Sequence, residues 1–363
     1  MIFSRKADER LDVLAHIVAG YYSLDANVTR AWCTLEEDSL VVTLPFCAGS
    51  QHAVIQRFLL KALLGKGYDN QVVTVRQKIM SSHSALPPVT NIRNIIAVAS
   101  GKGGVGKSTT AVNLAFALQQ EGAKVGILDA DIYGPSIPIM LGNPNEHPSS
   151  TDNKHMQPID AWGLVANSIG YLVPPEDAAV WRGPMASRAL KQLLDETLWP
   201  VLDYLIVDMP PGTGDIQLTM AQQVPLSGVV VVTTPQDLAL ADAQKGIAMF
   251  NKVNVPILGL IENMSFYQCR SCGAKDYIFS EDGGKALAER YQLPLLGALP
   301  LDIHIREHAD SGQPLLVESP SSPLAQAYRE AARALSMQLA MSSALRADGE
   351  NHIKGEPIGI RQT

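Results

Sequence analysis

The chain lacks an excess of positive charge, any long uninterrupted apolar run, and all but a few cysteines. With 29 Lys and Arg against 36 Asp and Glu the formal net charge is -7, so no general attraction to nucleic acid or to an anionic membrane surface is expected. No stretch approaches the roughly 18 consecutive apolar residues of a membrane-spanning helix. Residues 4–10 are charged and no apolar core of a signal peptide follows them. A cytoplasmic protein without membrane or nucleic-acid partners is therefore expected. Four cysteines in 363 residues are too few for a disulfide scaffold, and the two in C-x-x-C point to a reducing compartment and to metal or redox chemistry.

What is present is an ordinary globular composition, 46% hydrophobic and 18% charged, at a length that suggests two or three domains. The most informative stretch begins at residue 95. An apolar run ending in Val98, Ala99 and Ser100 reads as a buried strand, and residues 111–120 repeat apolar positions at helical spacing. Between them stands Gly101-Lys102-Gly103-Gly104-Val105-Gly106-Lys107-Ser108-Thr109, which fits the phosphate-binding pattern G-x-x-x-x-G-K-[ST]. Glycines let backbone N–H groups turn inward around a phosphate, and the following helix N-terminus adds its partial positive charge. Lys107 is expected to reach the β- and γ-phosphates of ATP, Ser108 to ligate Mg²⁺, and Thr109 to complete the nucleotide-binding set.

Residues 1–80 read as a small α/β module, with helices over 12–22 and 52–64 and strands over 40–44 and 71–76. Cys33 reads as a small buried hydrophobe in an apolar strand. Residues 81–93, with Pro87-Pro88, read as a linker. Residues 94–342 form the second domain, where strands over 125–128, 204–207, 229–232, 257–261 and 295–298 alternate with helical patterns, as in a mostly parallel sheet covered on both faces. Loops behind such strands are where open α/β sheets bind ligands. The polar tail 343–363 is expected to be disordered.

Three loops carry further chemistry. Asp129 and Asp131 stand one residue apart behind the second strand, able to orient water and Mg²⁺ or simply to shape a turn. Asp208, at the end of an apolar run, fits the Walker B pattern that holds the Mg²⁺ shell; Asp215 behind it either senses nucleotide or, as favoured here, caps the helix over 216–222. Cys269-Arg270-Ser271-Cys272-Gly273 offers two thiols at i and i+3, half of what a structural zinc or a [4Fe-4S] cluster needs. A second chain or other cysteines must complete the site; a redox pair and a bridging zinc are the alternatives.

The loop GKGGVGKST, with its additional Lys102, resembles the deviant phosphate loop of the MinD, ParA, nitrogenase iron protein and arsenite-pump ATPases. That resemblance implies a P-loop NTPase fold and a nucleotide-sandwich homodimer in which Lys102 crosses to the other subunit's nucleotide; locally, Lys102 is another cation near phosphate. It also implies that Asp131 orients the attacking water and that Asn263 bonds the adenine edge. The strings DMPPGTGD and Trp181-Arg182-Gly183-Pro184-Met185, with the C-x-x-C, are similar to the Mrp/ApbC family of iron–sulfur cluster carriers. Implied are ATP hydrolysis and a [4Fe-4S] cluster bridged between subunits by Cys269 and Cys272. Transfer to apo iron–sulfur proteins, with cluster assembly factors as further partners, is implied as well. Arg182 reads as a turn residue pairing with a carboxylate. The rival readings are a MinD/ParA-type organising ATPase without a cluster and a redox ATPase like the nitrogenase iron protein. The first is disfavoured by the lack of a basic amphipathic helix in the tail. The first module looks like the small domain of metal–sulfur cluster assembly proteins, with Pro45-Phe46-Cys47-Ala48 where that family carries a Pro-Gly-Cys-Pro type loop.

Overall fold

The computed structural model describes residues 2–37, 39–82, 84, 86–173 and 183–347. Its first unit contains α1 (Ile2–Tyr22), α2 (Ala26–Arg30), β1 (Cys33–Glu36), β2 (Ser39–Leu44), α3 (His52–Leu64) and β3 (Val72–Gln77). Helix α1 begins ten residues before the apolar periodicity does, because nothing from residue 2 onward breaks a helix: the segment holds neither Pro nor Gly before Gly20. β1 and β2 pair antiparallel, and β3 returns parallel to β2 through α3, so the unit is a three-stranded sheet packed on helices.

The second unit is built on β4 (Ile95–Ala99), α4 (Lys107–Gln120), β5 (Val125–Asp129), α5 (Ile137–Met140), β6 (Ile159–Ala161), β7 (Leu164–Ser168), α6 (Gly183–Asp195), β8 (Tyr204–Asp208), α7 (Asp215–Gln223), β9 (Gly228–Thr233), α8 (Asp237–Lys252) and β10 (Ile257–Glu262). A two-stranded hairpin, β11 (Tyr267–Gln268) and β12 (Lys275–Asp276), precedes α9 (Gly283–Tyr291), β13 (Leu295–Ala298), α10 (Ile303–Ser311), α11 (Leu315–Glu318) and α12 (Pro323–Ala347). The large sheet runs β13-β10-β9-β4-β8-β5-β7-β6, with every pair parallel except the β7–β6 edge. Its central strands are buried along their whole length, as strands covered on both faces must be. Phe116 of α4 and Tyr328 and Leu335 of α12 fill one face; Leu190 of α6, Met220 of α7 and Phe250 of α8 fill the other.

The two units share a core. Met337, Ala340 and Met341 of α12 pack with Leu14, Leu40 and Leu59 of the first unit. Glu121, at the far end of the phosphate-loop helix, is wholly buried and takes hydrogen bonds from the Ser50 N–H (2.9 Å), Ser50 Oγ (2.7 Å) and Arg333 of α12 (2.7 Å). The linker is stitched down as well: Asn94 bonds Ser82 N–H and the Met80 carbonyl, and Arg93 pairs with Asp203. Helix α12 continues to Ala347, so residues 343–347 are helical where the sequence suggests a disordered tail. The rest of that tail, and Trp181 with Arg182, lie outside the described residues. Among the described residues no helix is long and apolar enough to cross a membrane.

Candidate functional site

The loops that leave the C-terminal ends of β4, β5, β8 and β10 converge. Residues 101–106 turn from β4 into α4, and Gly106, the residue before the helix, sits at φ +81° in the left-handed region. A side chain there would be strained, and a Cβ would also lie 2.2 Å from Asn263 Nδ2. Lys107 follows with only 6% of its side chain exposed, and its ammonium donates to Asp208 Oδ1 (2.6 Å) and Ser108 Oγ (3.2 Å) and lies 3.7 Å from Asp131 Oδ2. Lys102 is half-buried and forms no ion pair among the described residues.

Strand register explains why carboxylates crowd here. Asp129 of β5 is the direct neighbour of Asp208 of β8 and of Ser168 of β7. Both aspartates are fully buried. Burial pushes Asp129 up to about 7, with the adjacent Asp208 charge adding to it, while hydrogen bonds from Ile137 N–H (3.2 Å) and Ser168 Oγ (3.0 Å) act the other way. Burial raises Asp131 and Asp208 too, and the Lys107 ammonium pulls both back. Three carboxylates therefore share one lysine, and Asp208 Oδ2 is buried with no hydrogen-bond partner among the described residues. A site with surplus negative charge, an unpartnered carboxylate oxygen and a serine hydroxyl beside it has the donor set of a hard divalent cation. Mg²⁺ fits these residues.

Asn263 closes the loop from the side. Its main chain continues β10, with its N–H on the Thr233 carbonyl (2.8 Å), and its side-chain amide donates to the Val105 carbonyl (2.9 Å). Sequence reasoning missed its neighbour Glu262, which is 3% exposed and accepts hydrogen bonds from Ser265 Oγ (2.5 Å) and from Gly284 N–H at the start of α9. Ser168 was missed as well. The only signal for either was a polar residue ending an apolar strand. Asp215 does not cap α7: the capping position falls on Gly214, and Asp215 is exposed in the first turn, where its charge faces the positive helix end.

The cysteines stand apart from this buried cluster, on the tip of the β11–β12 hairpin. Cys269 N–H donates to the Ala274 carbonyl (2.9 Å) and Gly273 N–H to the Cys269 carbonyl (2.8 Å). Gly273 closes the turn at φ +74°, a conformation few other residues adopt. The N–H groups of Cys272 and Ser271 and the Cys272 side chain point at the Cys269 sulfur and hold its thiol below the ordinary range, which favours the thiolate that binds metal. Cys272 is exposed and Cys269 half-exposed. Arg270, between them, pairs with Asp302 (3.1 Å). Among the described residues no group of three or more His, Cys, Asp or Glu could hold a metal ion. Cys33 and Cys47 do not complete the set: both are buried, Cys33 in the core of the first unit and Cys47 against α4 of the second, Cys33 is pushed up to about 12, and Cys47 is also raised, its thiol donating to the Leu118 and Glu121 carbonyls.

Residues 91–336 match the family model ParA, described as NUBPL iron-transfer P-loop NTPase. The chain is 61% identical over 253 residues to an iron-sulfur cluster carrier protein of Escherichia coli K12, covering 70% of this chain and 69% of that protein. It is 53% identical over 300 residues to one from Haemophilus influenzae, covering 82% and 81%. Among solved structures, a nucleotide-binding protein from Archaeoglobus fulgidus in complex with ADP aligns with a TM-score of 0.57 at 36% identity, over 65% of this chain and 91% of that one.

Proposed function

The chain belongs to the ParA family of NUBPL iron-transfer P-loop NTPases, and from that premise we propose that it is an ATP-hydrolysing carrier that holds a [4Fe-4S] cluster between two copies of itself and delivers it to apo-proteins. The observation that carries this reading is the pair Cys269 and Cys272 at the tip of the hairpin, open to solvent, which supplies two ligands where a cluster takes four. A two-fold axis beside the hairpin supplies the other two from a second copy. Lys102 reaches the second copy's nucleotide across the same axis.

At the nucleotide, residues 101–106 cradle the phosphates with backbone N–H groups, Lys107 neutralises the transferring phosphoryl group, and Asp131 orients the attacking water. Ser108 and Asp208 would hold Mg²⁺, which supplies further charge neutralisation on the phosphates. Asn263 reads the adenine edge with its amide. Lys107 leaves Asp208 for phosphate when ATP enters, so the loops behind β5 and β8 rearrange with nucleotide state, and the geometry between the subunits changes with them. The cluster is cargo, and its lability is what this motion controls. The site of action is the cytoplasm.

Anaerobic reconstitution with iron and sulfide tests the reading, followed by absorption and Mössbauer spectra and by iron and sulfide counts. About four irons per dimer are expected, lost in Cys269→Ala/Cys272→Ala. Half an equivalent of zinc with no sulfide would move the assignment to a bridging zinc site. No metal at all would favour an organising ATPase without a cluster.

A further inference from the structure

The nucleotide loop and the cysteine hairpin are joined by residues 262–266, and backbone and side-chain hydrogen bonds fix this segment along its length. At its start Asn263 holds the phosphate loop through Val105. Met264 follows at φ +55°, a left-handed conformation uncommon for a non-glycine residue, which persists only where surroundings enforce it. Ser265 N–H then bonds the Leu299 carbonyl and Leu301 N–H bonds the Phe266 carbonyl, both at 2.8 Å. The hairpin begins at the next residue, Tyr267.

Glu262 holds this turn together from inside. It is buried, forms no ion pair among the described residues, and spends its carboxylate on Ser265 Oγ within the turn and on Gly284 N–H of α9 beneath it. Burying a carboxylate without a cationic partner is costly, and an apolar side chain would fill the space more cheaply if filling were all that mattered. What the carboxylate adds is direction: it fixes the turn against both β10 and α9.

We propose that Glu262 is a positioning residue that makes residues 263–266 one rigid connector, so that displacement of the phosphate loop on nucleotide binding is delivered to Cys269. The inference rests on the carrier reading for its purpose, but its test does not need a cluster. In the full-length, metal-free protein, amide exchange is followed at Cys269 and Gly273, with and without Mg-ATPγS. Wild type should change protection there by about fivefold, the lower end of ordinary coupling between sites. In Glu262→Ala this nucleotide-dependent difference should vanish while affinity for Mg-ATPγS by calorimetry stays within about threefold. A purely structural role would lower protection equally with and without nucleotide, leaving the difference intact. Glu262→Gln should restore it, because its amide can accept from Gly284 N–H and donate to Ser265 Oγ. Should Glu262→Ala fail to fold, Ser265→Ala, which removes one of the two donors, must reduce the difference by at least about half. A wild-type hairpin indifferent to nucleotide, or a difference that survives these substitutions, overturns the proposal. A difference that behaves as expected in a protein that assembles no cluster would sink the carrier reading and leave the connector standing.

Discussion

The nucleotide site and the cysteine hairpin solve opposite problems. The first is buried at the centre of an eight-stranded sheet, with Asp129 and Asp208 fully enclosed and Lys107 nearly so. Its charges are strong because water is excluded, and the carboxylates outnumber the lysine among them. The second rests on two strands of two residues each and leaves its thiols in solvent. One site is made by the fold; the other is made by a turn and left unfinished. A carrier needs both: a rigid engine and a port that another molecule can reach.

That contrast can be broken from either side. Lys107→Ala removes the only cation that, among the described residues, pairs with these three buried carboxylates, so ATP hydrolysis in single-turnover assays should fall by about 10²–10³-fold. Iron uptake by the hairpin should be unaffected. Thiol accessibility comes next. In the metal-free protein the knuckle N–H groups stabilise the Cys269 thiolate, so its alkylation by iodoacetamide, mapped by mass spectrometry, should persist as pH falls below the ordinary thiol value of 9.0. Cys33, raised by burial, should react about a hundredfold more slowly or only after unfolding. Equal rates would mean the two pairs are not segregated as described. Gly273→Ala should then act locally, costing about 1 kcal/mol in the turn and speeding exchange of the Cys269 amide about fivefold, with the thermal midpoint unmoved. The smallest effect belongs to Cys269→Ala/Cys272→Ala in the metal-free protein. Its stability by urea titration should stay within about 0.5 kcal/mol of wild type. A larger loss would show that the hairpin is a structural element.

The phosphate loop and strands β4, β5, β8, β9, β10 and β13 were legible because their signals are contiguous, a run of glycines with a lysine or an apolar stretch of strand length, whereas β6 and β7 were not read. The hairpin strands were not, since two residues are too few to display alternation. Residues whose role comes from register stayed hidden for a different reason. Asp129 was recognised as one of a pair, but its burial against Asp208 and Ser168 exists only once β5, β7 and β8 are aligned. Glu262 looked like an ordinary polar strand end. The misassigned cap at Asp215 was an error of one position, and helix boundaries are uncertain at that scale. The extent of α12 and its packing into the first unit depend on contacts between residues far apart in sequence, such as Cys47 N–H with Ser336 Oγ (2.7 Å).

Those long-range contacts give the phosphate-loop helix a second use. Helix α4 starts at Lys107, the proposed phosphate contact, and, immediately beyond its last turn, ends at Glu121, gripped by Ser50 of the first unit and Arg333 of α12. Whatever free energy ATP contributes by binding one end is therefore shared with the interface at the other. Two modules in the sequence should melt as one cooperative unit, and a saturating nucleotide should raise the unfolding temperature of the first sheet, which it never touches.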